Sequence, residues 1–198
     1  MCKNEAFGID VLGSESDVEM SCTLKCGAEE IGLRLGGTID RIDCKVNSVN
    51  IVDYKTGGGD DIADVVTMND IFEHKTKSCK YRLQAFLYST VIDDLMQRKC
   101  GENGLSVKLK DCAATAVSPQ LLYVHHRDNS LREEFVINMD NKPVEDIKVI
   151  KDDFLVRLKA LLEEMFDISK PFEPAKDTST CKYCDYKEIC NRKENNIY

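Results

Sequence analysis

Asp40, Asp53 and Lys55 are the residues of this chain whose types and spacing could do chemistry together. They sit in two short blocks, Gly37-Thr38-Ile39-Asp40-Arg41-Ile42-Asp43 and Asp53-Tyr54-Lys55-Thr56-Gly57. Residues 51–55, Ile-Val-Asp-Tyr-Lys, alternate in the manner of a β-strand, so Asp53 and Lys55 point to one side. Ile39 to Ile42 reads as the end of an earlier strand, which places Asp40 beside Asp53 across the pairing. Two carboxylates converging next to an ammonium group suit a hard divalent cation and a nucleophilic water. In that arrangement Asp40 and Asp53 are metal ligands, the Tyr54 carbonyl adds an oxygen, and Lys55 orients the water or offsets charge on a phosphoryl group. An isolated Asp-x-Lys is ordinarily a surface ion pair; the block ahead of it sets this one apart.

The elements that must position these groups follow from periodicity. Val18 to Lys25 and Ile31 to Val46 predict two strands joined by a turn near Gly27, with residues 1–16 as a flexible lead-in. After a turn over 47–50, Ile51 to Lys55 gives a third strand, and the three form a consecutive antiparallel meander. Gly57 to Asp61 opens a loop, either facing substrate or serving as a plain linker. Helices are predicted over 67–77 and 80–98; on the second, Gln84 and Tyr88 lie four apart and share a face. Residues 99–116 read as a polar insertion without pattern. Strands are expected at Leu121 to His125 and Glu134 to Ile137. Pro143 then opens a long amphipathic helix with an apolar stripe of Ile147, Phe154, Leu158, Leu161 and Met165. A cysteine-bearing tail, residues 171–198, closes the chain. A sheet flanked by helices in this order means an α/β (or α+β) fold.

Bulk properties narrow the classes. The 198 residues suit one domain, and 42% hydrophobic with 31% charged residues is ordinary globular composition. No run of 18 apolar residues supports a membrane span, and the first residues lack the apolar core of a secretory signal. Of ten cysteines in a chain without an export signal, the seven scattered ones predict reduced thiols in a cytoplasmic protein, with the C-terminal three kept apart as ligands. A net charge of −8 argues against an extended nucleic-acid surface. Two features offset this: part of the charge is the metal site itself, and Lys75, Lys77, Lys80 and Arg82 cluster where phosphate contacts would be useful. His125 and His126 are adjacent on an expected strand and point opposite ways, so they do not share a metal.

The two blocks, followed by Gln84-Ala85-Phe86-Leu87-Tyr88 and by Cys181-x-x-Cys184 with Cys190 six residues on, resemble the RecB/AddB-type branch of the PD-(D/E)XK nucleases. The four motifs come in that family's order and run over most of the chain. The resemblance implies a restriction-endonuclease-like mixed sheet, a Mg²⁺- or Mn²⁺-dependent deoxyribonuclease acting as an exonuclease in double-strand break repair, and DNA as partner. It assigns catalytic roles to Asp40, Asp53, Lys55, Gln84 and Tyr88. Cys181, Cys184 and Cys190 would be three of four ligands of a [4Fe–4S] cluster, with Cys2 or an upstream residue as the fourth. The family's further metal ligand, a histidine or glutamate ahead of the first aspartate, is not visible: His74, His125 and His126 all follow Asp53. Glu19 is the substitute within this chain. Otherwise that ligand lies upstream, with the chain as the C-terminal nuclease segment of a larger helicase–nuclease. The alternatives are a non-catalytic DNA-binding or scaffolding module, and a zinc-ribbon-like interaction protein that would leave the aspartates unexplained.

Overall fold

A computed structural model describes residues 3–4, 9–27, 29–56, 66–73, 77–98, 104–123, 135–171, 173–174 and 178–192. The chain separates into two compact units, Met1–Met165 and Phe166–Tyr198.

The first unit is built on a six-stranded sheet in sequence order. The strands are β1 (Lys3–Asn4), β2 (Ile9–Cys26), β3 (Glu29–Cys44), β4 (Ser48–Lys55), β5 (Ala116–Tyr123) and β6 (Phe135–Val136). β2, β3 and β4 form the expected antiparallel meander, with Gly27 at positive φ in the first turn. β2 begins nine residues earlier than its apolar pattern announces, because residues 10–17 pair with Thr38 to Cys44 across a bulge between Val11 and Gly13. The flexible lead-in expected over 1–16 is therefore corrected for residues 9–16. β4 and β5 are parallel, a pairing that requires a long crossover. That crossover carries α1 (Met68–Phe72), α2 (Lys77–Gln97) and α3 (Gly104–Asp111), the last inside the stretch read as unpatterned.

α2 touches β2, β3, β4 and β5 and is buried on most sides, as a helix that carries apolar residues all round must be. Phe86 from α2 meets Phe154 edge-on, with ring centroids 6.0 Å apart, inside a core that includes Ile39, Ile42, Val49, Ile51 and Val117. The helix expected to open at Pro143 begins at Lys151 instead: α4 spans Lys151–Met165. Pro143 lies in a small hairpin of β7 (Asn138–Met139) and β8 (Lys142–Pro143), turned by Asp140 and Asn141 at positive φ. Asp146 then caps a 3-10 turn over Ile147–Val149 through the Lys148 N–H. Phe154 and Leu158 are buried along α4, whereas Met165 at the end of the expected stripe is exposed. At the start of α4, Lys151 Nζ reaches buried Asp93 at 2.6 Å and Asp94 at 2.5 Å, pinning it to α2.

Cys44 and Cys112 form a disulfide between the end of β3 and the residue after α3. This corrects the expectation of reduced thiols for Cys44 and Cys112; β5 starting only four residues after Cys112 brings that segment to the end of β3. No helix among the described residues is long and apolar enough to cross a membrane. In the second unit, Thr178–Tyr183 forms a 3-10 turn.

Candidate active site

The site forms where β3 and β4 part. Arg41 opposite Val52 is their last ladder pair toward this end; beyond it β3 continues against β2 alone, and β4 ends at Lys55. Continuing that register one step sets Asp40 against Asp53. The ladder has no donor or acceptor here, and Asp40 takes its place: Oδ2 accepts the Tyr54 N–H at 2.7 Å.

Asp53 is buried, and Lys55, two residues on, forms an ion pair with its Oδ2 atom. Apart from that pair, Asp53 Oδ2 has no hydrogen-bond partner among the described residues. Burial raises the Asp53 carboxyl above its ordinary range; Lys55 opposes the shift and the charge of Asp40 adds to it. Lys55 Nζ also donates to Gln84 Oε1 at 3.2 Å, and Gln84 Nε2 donates to the Tyr88 hydroxyl at 3.2 Å. Thus Asp53, Lys55, Gln84 and Tyr88, chosen from sequence, form one continuous polar chain, with Asp40 beside its head.

Gly37 explains itself here. A Cβ at that position would stand 2.5 Å from the Tyr88 hydroxyl, so the bare backbone of β3 is what lets Tyr88 seat against it. Arg41 works on Tyr54: its Nε donates to Asp43 Oδ2 at 3.0 Å and its Nη1 to the Tyr54 hydroxyl at 2.7 Å. Asp43 is fully buried, and burial raises its carboxyl against the pull of Arg41 and Lys45. Sequence reasoning quoted Arg41 and Asp43 as motif residues and gave them no task. It missed Tyr81, whose ring centroid lies 4.6 Å from Lys55 Nζ. Its signal was present, since Tyr81, Gln84 and Tyr88 fall at i, i+3 and i+7 on one helical face.

Other expectations are corrected. Glu19 stands opposite Gly36, four residues along β3 from Asp40, and pairs with Arg34 at 3.7 Å, both side chains well exposed. It is not brought to the carboxylates. Arg82 is buried and donates to the Ser78 hydroxyl, so it offers no surface phosphate contact; Lys80 is exposed. Lys75, His74, His125, His126 and Cys2, and the side chain of Lys77, lie outside what is described.

No group of three or more His, Cys, Asp or Glu side chains among the described residues could hold a metal ion. The pair Asp40 and Asp53 still fits Mg²⁺ or Mn²⁺. The buried, sparsely partnered Oδ2 of Asp53 is a hard oxygen donor, and Mg²⁺ keeps several waters and is commonly bound through one or two carboxylates. In the second unit, Cys181 is buried and its Sγ accepts from Arg192 Nη1 at 3.0 Å, while Cys184 and Cys190 are half-buried. Among the described residues these thiols do not form a group of three or more His, Cys, Asp or Glu side chains that could hold a metal.

The family model of the PD-(D/E)XK nuclease superfamily matches residues 4–191. The chain belongs to the PD-(D/E)XK nuclease superfamily. Its mixed sheet flanked by helices is the restriction-endonuclease-like arrangement that membership implies. No curated protein matches the chain. PD-(D/E)XK proteins are generally nucleases that use divalent metals, and nucleic acid is the substrate the superfamily implies.

Proposed function

We propose that this chain is a Mg²⁺- or Mn²⁺-dependent deoxyribonuclease that hydrolyses phosphodiester bonds in DNA. The observation that carries the reading is the unbroken chain from Asp53 through Lys55 and Gln84 to Tyr88, with Asp40 held beside it by the Tyr54 N–H. Asp40 and Asp53 would hold the cation, with the Tyr54 carbonyl as a further oxygen. The bound cation supplies Lewis acidity and lowers the pKa of an attacking water. Lys55 sets its ammonium toward the phosphoryl oxygens, where negative charge builds up in the transition state. Gln84 fixes the Lys55 ammonium, and Tyr88 fixes the Gln84 amide. The motif order supports the RecB/AddB-type branch, and with it an exonuclease acting in double-strand break repair beside a helicase, in the cytoplasm. The match running from residue 4 to 191 supports one nuclease domain that includes the cysteine tail.

The test is Mn²⁺-dependent cleavage of linear DNA. Asp40→Ala and Asp53→Ala abolish it, while Lys55→Ala keeps Mn²⁺ binding and loses cleavage. Undiminished cleavage by Asp53→Ala sinks the assignment.

A second reading, a non-catalytic DNA-binding module, is favoured by the want of a third acid or histidine near Asp40 and Asp53 among the described residues. Calorimetric titration separates the two, because that module takes up no Mn²⁺ at Asp53. The cysteine spacing alone supports a [4Fe–4S] cluster on Cys181, Cys184 and Cys190. Iron and sulfide assays on anaerobically purified protein decide it, and one equivalent of zinc or no metal rules the cluster out.

A further inference from the structure

Lys55 has a difficulty that its ion pair does not solve. Its ammonium rests against the same Asp53 oxygen that the proposed function gives to a divalent cation. Once that carboxylate is shared, the two positive charges lie a few ångströms apart in a site of low exposure, and Coulomb repulsion drives the mobile one away. Lys55 is the mobile one, on a flexible four-carbon stem. Something other than Asp53 must hold it.

Gln84 Oε1 at 3.2 Å is one such hold, a single neutral hydrogen bond. The other is Tyr81. Its half-buried ring presents a face to Lys55 Nζ, 4.6 Å from the centroid, while the exposed Lys80 ammonium lies 5.0 Å from the same centroid. A cation over an aromatic face within about 6 Å is attracted by the ring quadrupole, more strongly when desolvated. The Lys55 side chain is only 14% exposed, so the attraction is weakly screened. Unlike Asp53, a ring face has no lone pair for a hard cation to compete for, and its grip survives metal binding.

We propose that Tyr81 is a positioning residue for Lys55, keeping its ammonium in place when Asp53 is engaged by the divalent cation. The inference rests on the deoxyribonuclease reading for its meaning. The Tyr81–Lys55 contact itself is measured without any cleavage.

In protein labelled at lysine, the Lys55 CεH₂ signal, assigned by its loss in Lys55→Arg, is shifted upfield by the ring. The shift persists on addition of Mg²⁺, is kept in Tyr81→Phe and collapses in Tyr81→Leu. An unshifted signal in the parent, or a shift that vanishes on adding Mg²⁺, overturns the proposal whether or not the protein cuts DNA. In cleavage assays Tyr81→Leu lowers kcat about tenfold, equivalent to about 1.4 kcal/mol, with KM little changed; Tyr81→Phe restores most of the loss. If KM rises and kcat holds, Tyr81 contacts DNA directly and the positioning role is wrong. If the parent cuts nothing while the Mg²⁺-resistant shift is present, the nuclease reading fails and the Tyr81–Lys55 contact stands.

Discussion

Gly37→Ala tests how tightly the site is built. Gly37 does not have a positive φ, so its backbone accepts alanine, and the conflict is purely one of space. The new Cβ would lie 2.5 Å from the Tyr88 hydroxyl oxygen and 3.2 Å from Cε1 and Cζ of the same ring. Non-bonded heavy atoms settle at about 3.5 Å, so the hydroxyl must retreat by roughly 1 Å. Its hydrogen bond with Gln84 is already 3.2 Å long, and a displacement of that size breaks it. Tyr88 is buried. An orphaned buried hydroxyl costs about 1–3 kcal/mol, and overpacking adds a comparable strain, so a loss of about 2–4 kcal/mol is expected in urea denaturation. Cleavage of labelled linear DNA should fall by up to about 100-fold, the usual consequence of a roughly 1 Å misplacement in a catalytic array. A double-mutant cycle with Tyr88→Phe isolates the cause. Removing the hydroxyl removes the closest contact, so the stability cost of Gly37→Ala should shrink by at least about 1 kcal/mol in that background. A Gly37→Ala protein within about 0.5 kcal/mol of the parent, or strict additivity in the cycle, would refute the reasoning.

Burial raises the Asp53 carboxyl above its ordinary 3.8. A raised folded-state value means the protonated form suits the fold better; its contribution is present below 3.8 and is lost as pH rises through the raised value. Asp53→Asn, measured in EDTA, should therefore gain more stability over the parent at pH 7 than at pH 4, while losing cleavage; an equal difference at both values overturns this. Lys151→Met leaves Asp93 buried without its nearest cation and should cost about 3 kcal/mol in urea denaturation. Replacing Cys44 and Cys112 by serine opens a loop of 68 residues and should lower stability by about 2–4 kcal/mol, with the parent in reductant falling to the same level.

The residues of the site were legible where their positions follow from short-range geometry. Alternation along 51–55 set Asp53 and Lys55 on one side, and reading Ile39 to Ile42 as the end of the preceding strand set Asp40 beside Asp53; the turn between the strands, expected over 47–50, instead spans Lys45 to Ser48, closed by a 2.8 Å bond. Helical period brought Gln84 to Tyr88. Tyr81 was hidden by the same period, because an aromatic at that spacing reads as core. Long-range pairings left no local trace. Ser48 and Ala116 are parallel partners across the whole helical crossover, and β5 contains Pro119, a residue that argues against a sheet interior. Gly13 to Ser16 have a loop-like composition, yet pairing with β3 makes them strand, an override of local preference by tertiary context. The Asp140-Asn141 turn was a missed local signal, since both residues tolerate positive φ and mark a hairpin where a helix was expected.

The parting of β3 and β4 explains why the candidate site lies where it does. A strand that leaves its neighbour exposes backbone donors and acceptors that must be satisfied some other way. Asp40 does this for the Tyr54 N–H, so the same carboxylate that would bind a cation also closes the frayed ladder. On the other side Arg41 ties the Tyr54 hydroxyl to buried Asp43, fixing the residue between Asp53 and Lys55. Two opposed constraints thus act on one residue, its N–H held by one carboxylate and its hydroxyl by a guanidinium. The flanking Asp53 and Lys55 inherit that fixed backbone, which a loop could not provide. The cost falls on Asp53, a buried carboxylate whose Oδ2 is met by the Lys55 ammonium and, among the described residues, by no other partner.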